Sequence, residues 1–168
     1  MKKRSESQGY PGRWIIFQGG LFMEKMVILY ATLTGHSKKI AEAIGKALKV
    51  KVTKVSARPV FTDVDLLFIV GGIYGGKSLP GLLAFVRTLD AAGVKRAVLV
   101  TSSVREQNQD SVRKILKEKG IEVLDEFNCP GSFLFLRFGH PDEADLQQAV
   151  DFAVKIAGEA SKGAGQKR

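Results

Sequence analysis

Three short runs of almost unbroken apolar, β-prone residues constrain this chain more than any other feature. They are Met26 to Ala31, Asp65 to Val70 and Ala97 to Val100. Strands exposed on one face alternate apolar with polar residues, whereas strands covered on both faces read as continuous apolar runs. Between and after the runs, apolar residues recur at helical spacing. Ile40, Ala43, Ile44, Ala47 and Leu48 form the first such stripe, and Leu82, Phe85, Val86 and Leu89 the second. Val112, Ile115 and Leu116 form a third, closed by Gly120 where a helix C-cap is expected, and Leu146, Ala149, Val150, Ala153, Ile156 and Ala157 form the last. Strands alternating with helices predict a parallel sheet covered on both sides, with right-handed crossovers. Val50 to Val55 alternates and predicts an edge strand. Ile121 to Phe127 predicts the last strand, with Phe133 to Leu136 as its continuation. Pro141 opens the last helix, with Asp142 and Glu143 favourable at its positive end.

At 168 residues the chain is long enough for one sizeable core. Residues 23–160 are expected to form it, with 1–22 as an N-terminal extension and 161–168 as a disordered tail. The net charge of +9 suggests nucleic acid at first sight, but the charge sits at the ends. Residues 23–160 hold 19 Lys and Arg against 16 Asp and Glu. No basic motif interleaved with aromatics appears, so nucleic-acid binding is not expected. The apolar patch Trp14 to Phe17 is too short to span a bilayer, and Glu24 and Lys25 break the run after it, so neither a membrane span nor a signal peptide is expected. A docking segment built on Trp14 is the alternative for the extension. The single cysteine, Cys129, excludes an internal disulfide and fits a buried thiol in a reducing cytoplasm.

In doubly wound sheets, ligands bind outside the carboxyl ends of the strands, where the winding reverses. Three loops are therefore decisive: Thr32 to Ser37, Gly71 to Leu79 and Thr101 to Asn108. The first reads Thr32-Leu33-Thr34-Gly35-His36-Ser37. Plain helix capping needs one hydroxyl there. Three hydroxyls and a glycine before a helix suit an anion, because first-turn N–H groups point outward and hydroxyls add donors. His36 and His140 are too isolated to suggest a metal site, and no metal is expected.

The loop after the first strand resembles that of the flavodoxin family, Thr/Ser-x-Thr-Gly-x-Thr/Ser, with Thr32, Thr34, Gly35 and Ser37 as the matching positions. The resemblance extends over residues 26–157. It implies a three-layer αβα sandwich whose five-stranded parallel sheet has the order 2-1-3-4-5. It also implies FMN as cofactor, its phosphate held by Thr32 to Ser37. The next two loops would embrace the flavin ring through Gly72, Ile73, Tyr74 and Gly75 and through Ser102, Ser103 and Arg105, with Tyr74 against one face. The third loop lacks the aromatic that usually covers the other face; that face is open or covered by another segment such as Phe138. The core is slightly basic, whereas electron-carrying flavodoxins are usually acidic. The expected function is electron transfer between redox partners. The alternative is an FMN-dependent reductase or oxidase linked to a quinone, a nicotinamide or a porphyrinogen. The partner is a redox protein or a small electron donor or acceptor.

A rival motif competes in the second loop. Gly71 to Ser78 satisfies G-x-x-x-x-G-K-S, the phosphate loop of nucleotide-binding proteins. Against it, neither Ile69-Val70 nor Val98 to Val100 ends in an acid for magnesium, and the loop at Thr32 to Ser37 stays unexplained. A phosphate-accepting receiver domain needs acids after the first and third strands, where this chain has Thr32 and Gly71.

Overall fold

The structure, a computed structural model, describes residues 13–17, 20–130 and 139–164. Phe133 to Leu136, Phe138, residues 1–12 and residues 165–168 lie outside the described residues. The first described elements form an antiparallel hairpin, β1 (Arg13–Phe17) and β2 (Gly20–Glu24). The main sheet then follows as β3 (Met26–Ala31), α1 (His36–Leu48), β4 (Val52–Lys54), β5 (Val64–Tyr74), β6 (Lys77–Ser78), α2 (Pro80–Val86), β7 (Val94–Ser103), α3 (Asp110–Glu118), β8 (Glu122–Pro130) and α4 (Glu143–Ala164). Its order is β4-β3-β5-β7-β8, all parallel, with β6 added antiparallel to β5. This is the expected 2-1-3-4-5 winding with one short strand more.

Alternation along the buried strands divides the core in two. Val27, Leu29, Leu67, Ile69, Ala97 and Leu99 face α2 and α3. Ile28, Phe68, Val70, Val98 and Val100 face α1 and α4. Both layers exclude water, which is why these strands carry no polar alternation. Gly45 lets α1 approach β4: a Cβ there would lie 2.4 Å from Val52 Cγ2 and 3.0 Å from the Val50 carbonyl oxygen.

The boundaries differ from the sequence expectation in instructive places. β5 does not stop at Gly71-Gly72 but runs through them to Tyr74, because they continue the ladder opposite Thr101 and Ser102. Thr101 to Ser103 likewise belong to β7, so the third loop begins at Val104. The edge strand is Val52–Lys54, followed by a single 3-10 turn. The last strand extends to Pro130 rather than ending at Phe127.

Pro141 does not open α4. It follows a cis bond to His140 and stands outside the helix. The cap is instead a reciprocal Asp pair: the Asp145 N–H donates to Asp142 Oδ1 (2.9 Å) and the Asp142 N–H to Asp145 Oδ2 (3.0 Å). His140 Nδ1 lies 2.5 Å from Asp145 Oδ2. Burial pushes the Asp145 carboxyl up, but the His140 ring and the Asp142 N–H outweigh it and leave its pKa below the usual value. A carboxyl with a depressed folded pKa stabilises the fold above its unfolded pKa, and this is lost as pH falls through the folded value. Stability is therefore expected to decline below about pH 4, and Asp145→Asn to remove part of that decline in urea titrations against pH. An identical acid limb in the variant would show that Asp145 is not responsible.

Cys129 is fully buried, and burial, with the charges of Asp145 and Asp142, pushes its thiol up to about 12. A thiol reagent at pH 8 is expected to label the native protein at least about a hundredfold more slowly than the unfolded chain. Comparable rates would contradict the buried setting.

Candidate functional site

The carboxyl ends of β3, β5 and β7 bring the three loops together. The first holds its shape through its own side chains. The Gly35 N–H donates to Thr32 Oγ1 (2.9 Å), and Thr34 Oγ1 lies 3.1 Å from His36 Nδ1. Gly35 is the N-cap of α1 with φ 90°, a left-handed conformation that favours glycine. It offers no side-chain acceptor to the first-turn N–H groups, and that turn carries no acid. Ser37 is fully buried and its Oγ has no hydrogen-bond partner. Leu33 projects into solvent. An open helix N-terminus, Thr hydroxyls and an orphaned buried hydroxyl form a donor set for an anion, with the helix dipole in the same sense. Burial, and then the charge of Lys39, lower the pKa of His36 and favour the neutral ring near pH 7.

The second candidate segment is strand and hairpin rather than loop. Gly72 and Ile73 lie in β5, Tyr74 ends it, and Gly75 and Gly76 make the turn with φ 57° and 77°. Lys77 and Ser78 run back along β5 opposite Tyr74 and Ile73. A nucleotide loop must wrap its N–H groups round a phosphate before a helix, and a β-ladder with a two-glycine turn does not. The Gly71 to Ser78 match is thus a coincidence of letters. Tyr74 folds back over Gly72, whose Cβ would lie 2.6 Å from the ring. Its hydroxyl oxygen accepts from the Leu33 N–H (3.1 Å) and meets Thr32 and Thr34.

The third segment is the most strongly tied. Ser102 and Ser103 are buried in β7, and Arg105 is exposed. The Ser103 hydroxyl meets the Arg105 carbonyl (2.5 Å) and Asn128 Oδ1 (3.1 Å). Below them lies a carboxylate that sequence reasoning passed over. Glu126, with its side chain only 5% exposed, accepts from Thr101 Oγ1 (2.8 Å), the Gln109 N–H (2.6 Å) and Arg113 Nη2 (3.0 Å). Gln109, itself buried, donates to the Val100 carbonyl (3.2 Å) and lies against Gly71. The signal was the alternation Glu126, Asn128 on one face of β8, with Phe127 and Cys129 on the other. A polar cleft of about 460 Å³ opens between Gly76 and residues Glu106, Gln107, Asn108 and Asp110. A larger apolar groove, about 560 Å³, runs between Val55–Val60 and α2 and shares no residue with these loops.

Residues 27–137 match the flavodoxin domain family. The chain belongs to that family. A relative in Methanocaldococcus jannaschii, an uncharacterized protein, is 28% identical over 146 residues, covering 79% of this chain and 97% of its own. Among solved structures, oxidised flavodoxin 2 from Bacillus cereus superposes with TM-score 0.60 at 19% identity, covering 80% of this chain and 99% of the other. A flavoprotein from Lactobacillus acidophilus in complex with FMN gives 0.51 at 14%, covering 62% and 93%. At these identities the likeness speaks for the fold, which this flavodoxin-like chain shares with flavoproteins. Among the described residues, no helix is long and apolar enough to cross a membrane.

Proposed function

We propose that this flavodoxin-family chain binds FMN and passes electrons between redox partners in the cytoplasm. The observation that carries the reading is the orphaned Ser37 Oγ beside an α1 N-terminus that no side chain caps. Buried hydroxyls in native proteins nearly always have a partner, and a phosphate oxygen supplies one here. The Thr32 and Thr34 hydroxyls and the first-turn N–H groups complete the cradle. The ring would lie between the Tyr74 hairpin and the Val104 to Asn108 loop, with Gly72, Ile73, Tyr74 and Gly75 on one side and Ser102, Ser103 and Arg105 on the other. When bound, FMN supplies the redox chemistry. The chain's own contribution is to orient it, exclude water from one face and hold its phosphate. The glutamate post beneath the third loop keeps that wall in place without the aromatic that flavodoxins usually carry.

The test is the visible spectrum of the purified chain before and after FMN is added. Bands near about 370 and 450 nm that shift on binding, and are weakened in Thr34→Ala, are expected. A protein that leaves the spectrum of added FMN unaltered overturns the reading. Rapid reduction of the bound flavin by a nicotinamide would assign the chain to the reductase class instead of the carriers.

A further inference from the structure

The hydroxyl of Tyr74 stands where the loop's donors converge. Its oxygen accepts from the Leu33 N–H at 3.1 Å, and Thr32 and Thr34 act on it electrostatically as neighbours. These are the groups that a phosphate oxygen would use. The ring reaches them because position 72 is glycine: a Cβ at Gly72 would lie 2.6 and 2.8 Å from two ring carbons of Tyr74 and 2.7 Å from its hydroxyl oxygen. The ring belongs to a strand end beside a turn of two positive-φ glycines, Gly75 and Gly76, residues whose backbone is conformationally permissive.

We propose that Tyr74 is a built-in competitor for the phosphate nest, its phenol oxygen exchanging with a phosphate group for the donors of Thr32, Leu33 and Thr34. The inference rests on reading this loop as a phosphate site. Arrival of the phosphate then frees the Tyr74 ring, which becomes available to the ring system carried by the same ligand. Phosphate and ring binding are thereby coupled through one side chain, since a ligand shifts an equilibrium only by its differential affinity for the two states. Ligands lacking phosphate meet a hairpin whose tyrosine is tied to the first loop.

The competition has two independent handles. Tyr74→Phe removes the oxygen and keeps the ring. Gly72→Ala keeps the oxygen and drives the ring off its seat. Both are expected to bind inorganic phosphate about fivefold more tightly than the unaltered chain in calorimetric titrations, the scale of one net hydrogen bond. In the unaltered chain the donors also hold the phenol below its ordinary pKa against the upward push of burial. Saturating phosphate is therefore expected to move the near-ultraviolet tyrosine titration upward, a readout that needs no variant. Equal phosphate affinity in all three proteins, with FMN still bound, overturns the competition and leaves the FMN reading standing. Weaker phosphate binding in Tyr74→Phe overturns it as well, because the phenol is then a ligand. Failure of every protein to bind either phosphate or FMN overturns both.

Discussion

Glu126→Ala is expected to lower the unfolding free energy by about 3 kcal/mol, measured by urea denaturation followed by circular dichroism. The carboxylate serves three donors from two elements: Thr101 of β7, the Gln109 N–H at the head of α3 and Arg113 within that helix. Removing it leaves the Thr101 hydroxyl and the Gln109 N–H buried without acceptors, at a cost of about 1–3 kcal/mol each in the worst case. Arg113 is 41% exposed and regains water, which keeps the total below the sum of three charged hydrogen bonds. Glu126→Gln retains one acceptor oxygen and is expected to cost about 1 kcal/mol, the difference between charged and neutral bonding. The Val104 to Asn108 loop should loosen in the alanine variant, seen as faster amide exchange at Gln109. An alanine variant as stable as the unaltered chain would show that the carboxylate does not hold this wall.

This buried glutamate also marks the limit of what the sequence revealed. The winding was legible because continuous apolar runs such as Leu66 to Val70 have one stable use in a chain of this kind, a strand covered on both faces. The loop proposed to hold a phosphate stood out because Thr32, Thr34, Gly35 and Ser37 crowd a position where one cap needs one hydroxyl. The carboxyl ends of β5 and β7 were not. Gly71 and Gly72 read as punctuation, yet they are strand residues whose missing side chains admit Gln109 on one face and Tyr74 on the other. Thr101 to Ser103 read as loop because they are polar, but the hydroxyls of Thr101 and Ser103 are satisfied by Glu126 and Asn128 across the ladder. Local composition cannot register a partner 25 residues away. The proline before α4 misled for a similar reason: its N1 preference is statistical, whereas the Asp142–Asp145 pair fixes the true start.

Gly35→Ala is expected to weaken FMN binding about thirtyfold, measured by titrating the flavin absorbance, with little change in global stability. The cause is the backbone alone. A Cβ at Gly35 meets nothing within 4 Å, so no clash is created, but φ is 90°. Holding an L residue there costs roughly 1–3 kcal/mol, and a factor of thirty corresponds to about 2 kcal/mol. The α1 N-terminus relieves that strain by turning its first N–H groups away, and a phosphate must restore the strained form before it can use them. Asparagine tolerates left-handed backbone better than alanine, so Gly35→Asn is expected to lose only about threefold. Gly35→Val adds β-branching to the same strain and is expected to lose at least as much as alanine. The order Gly, Asn, Ala, Val therefore distinguishes a backbone-borne anion site from one made by side chains. Equal affinities for glycine and alanine would place the phosphate away from this helix start, since a Cβ at Gly35 meets nothing and adds only backbone strain.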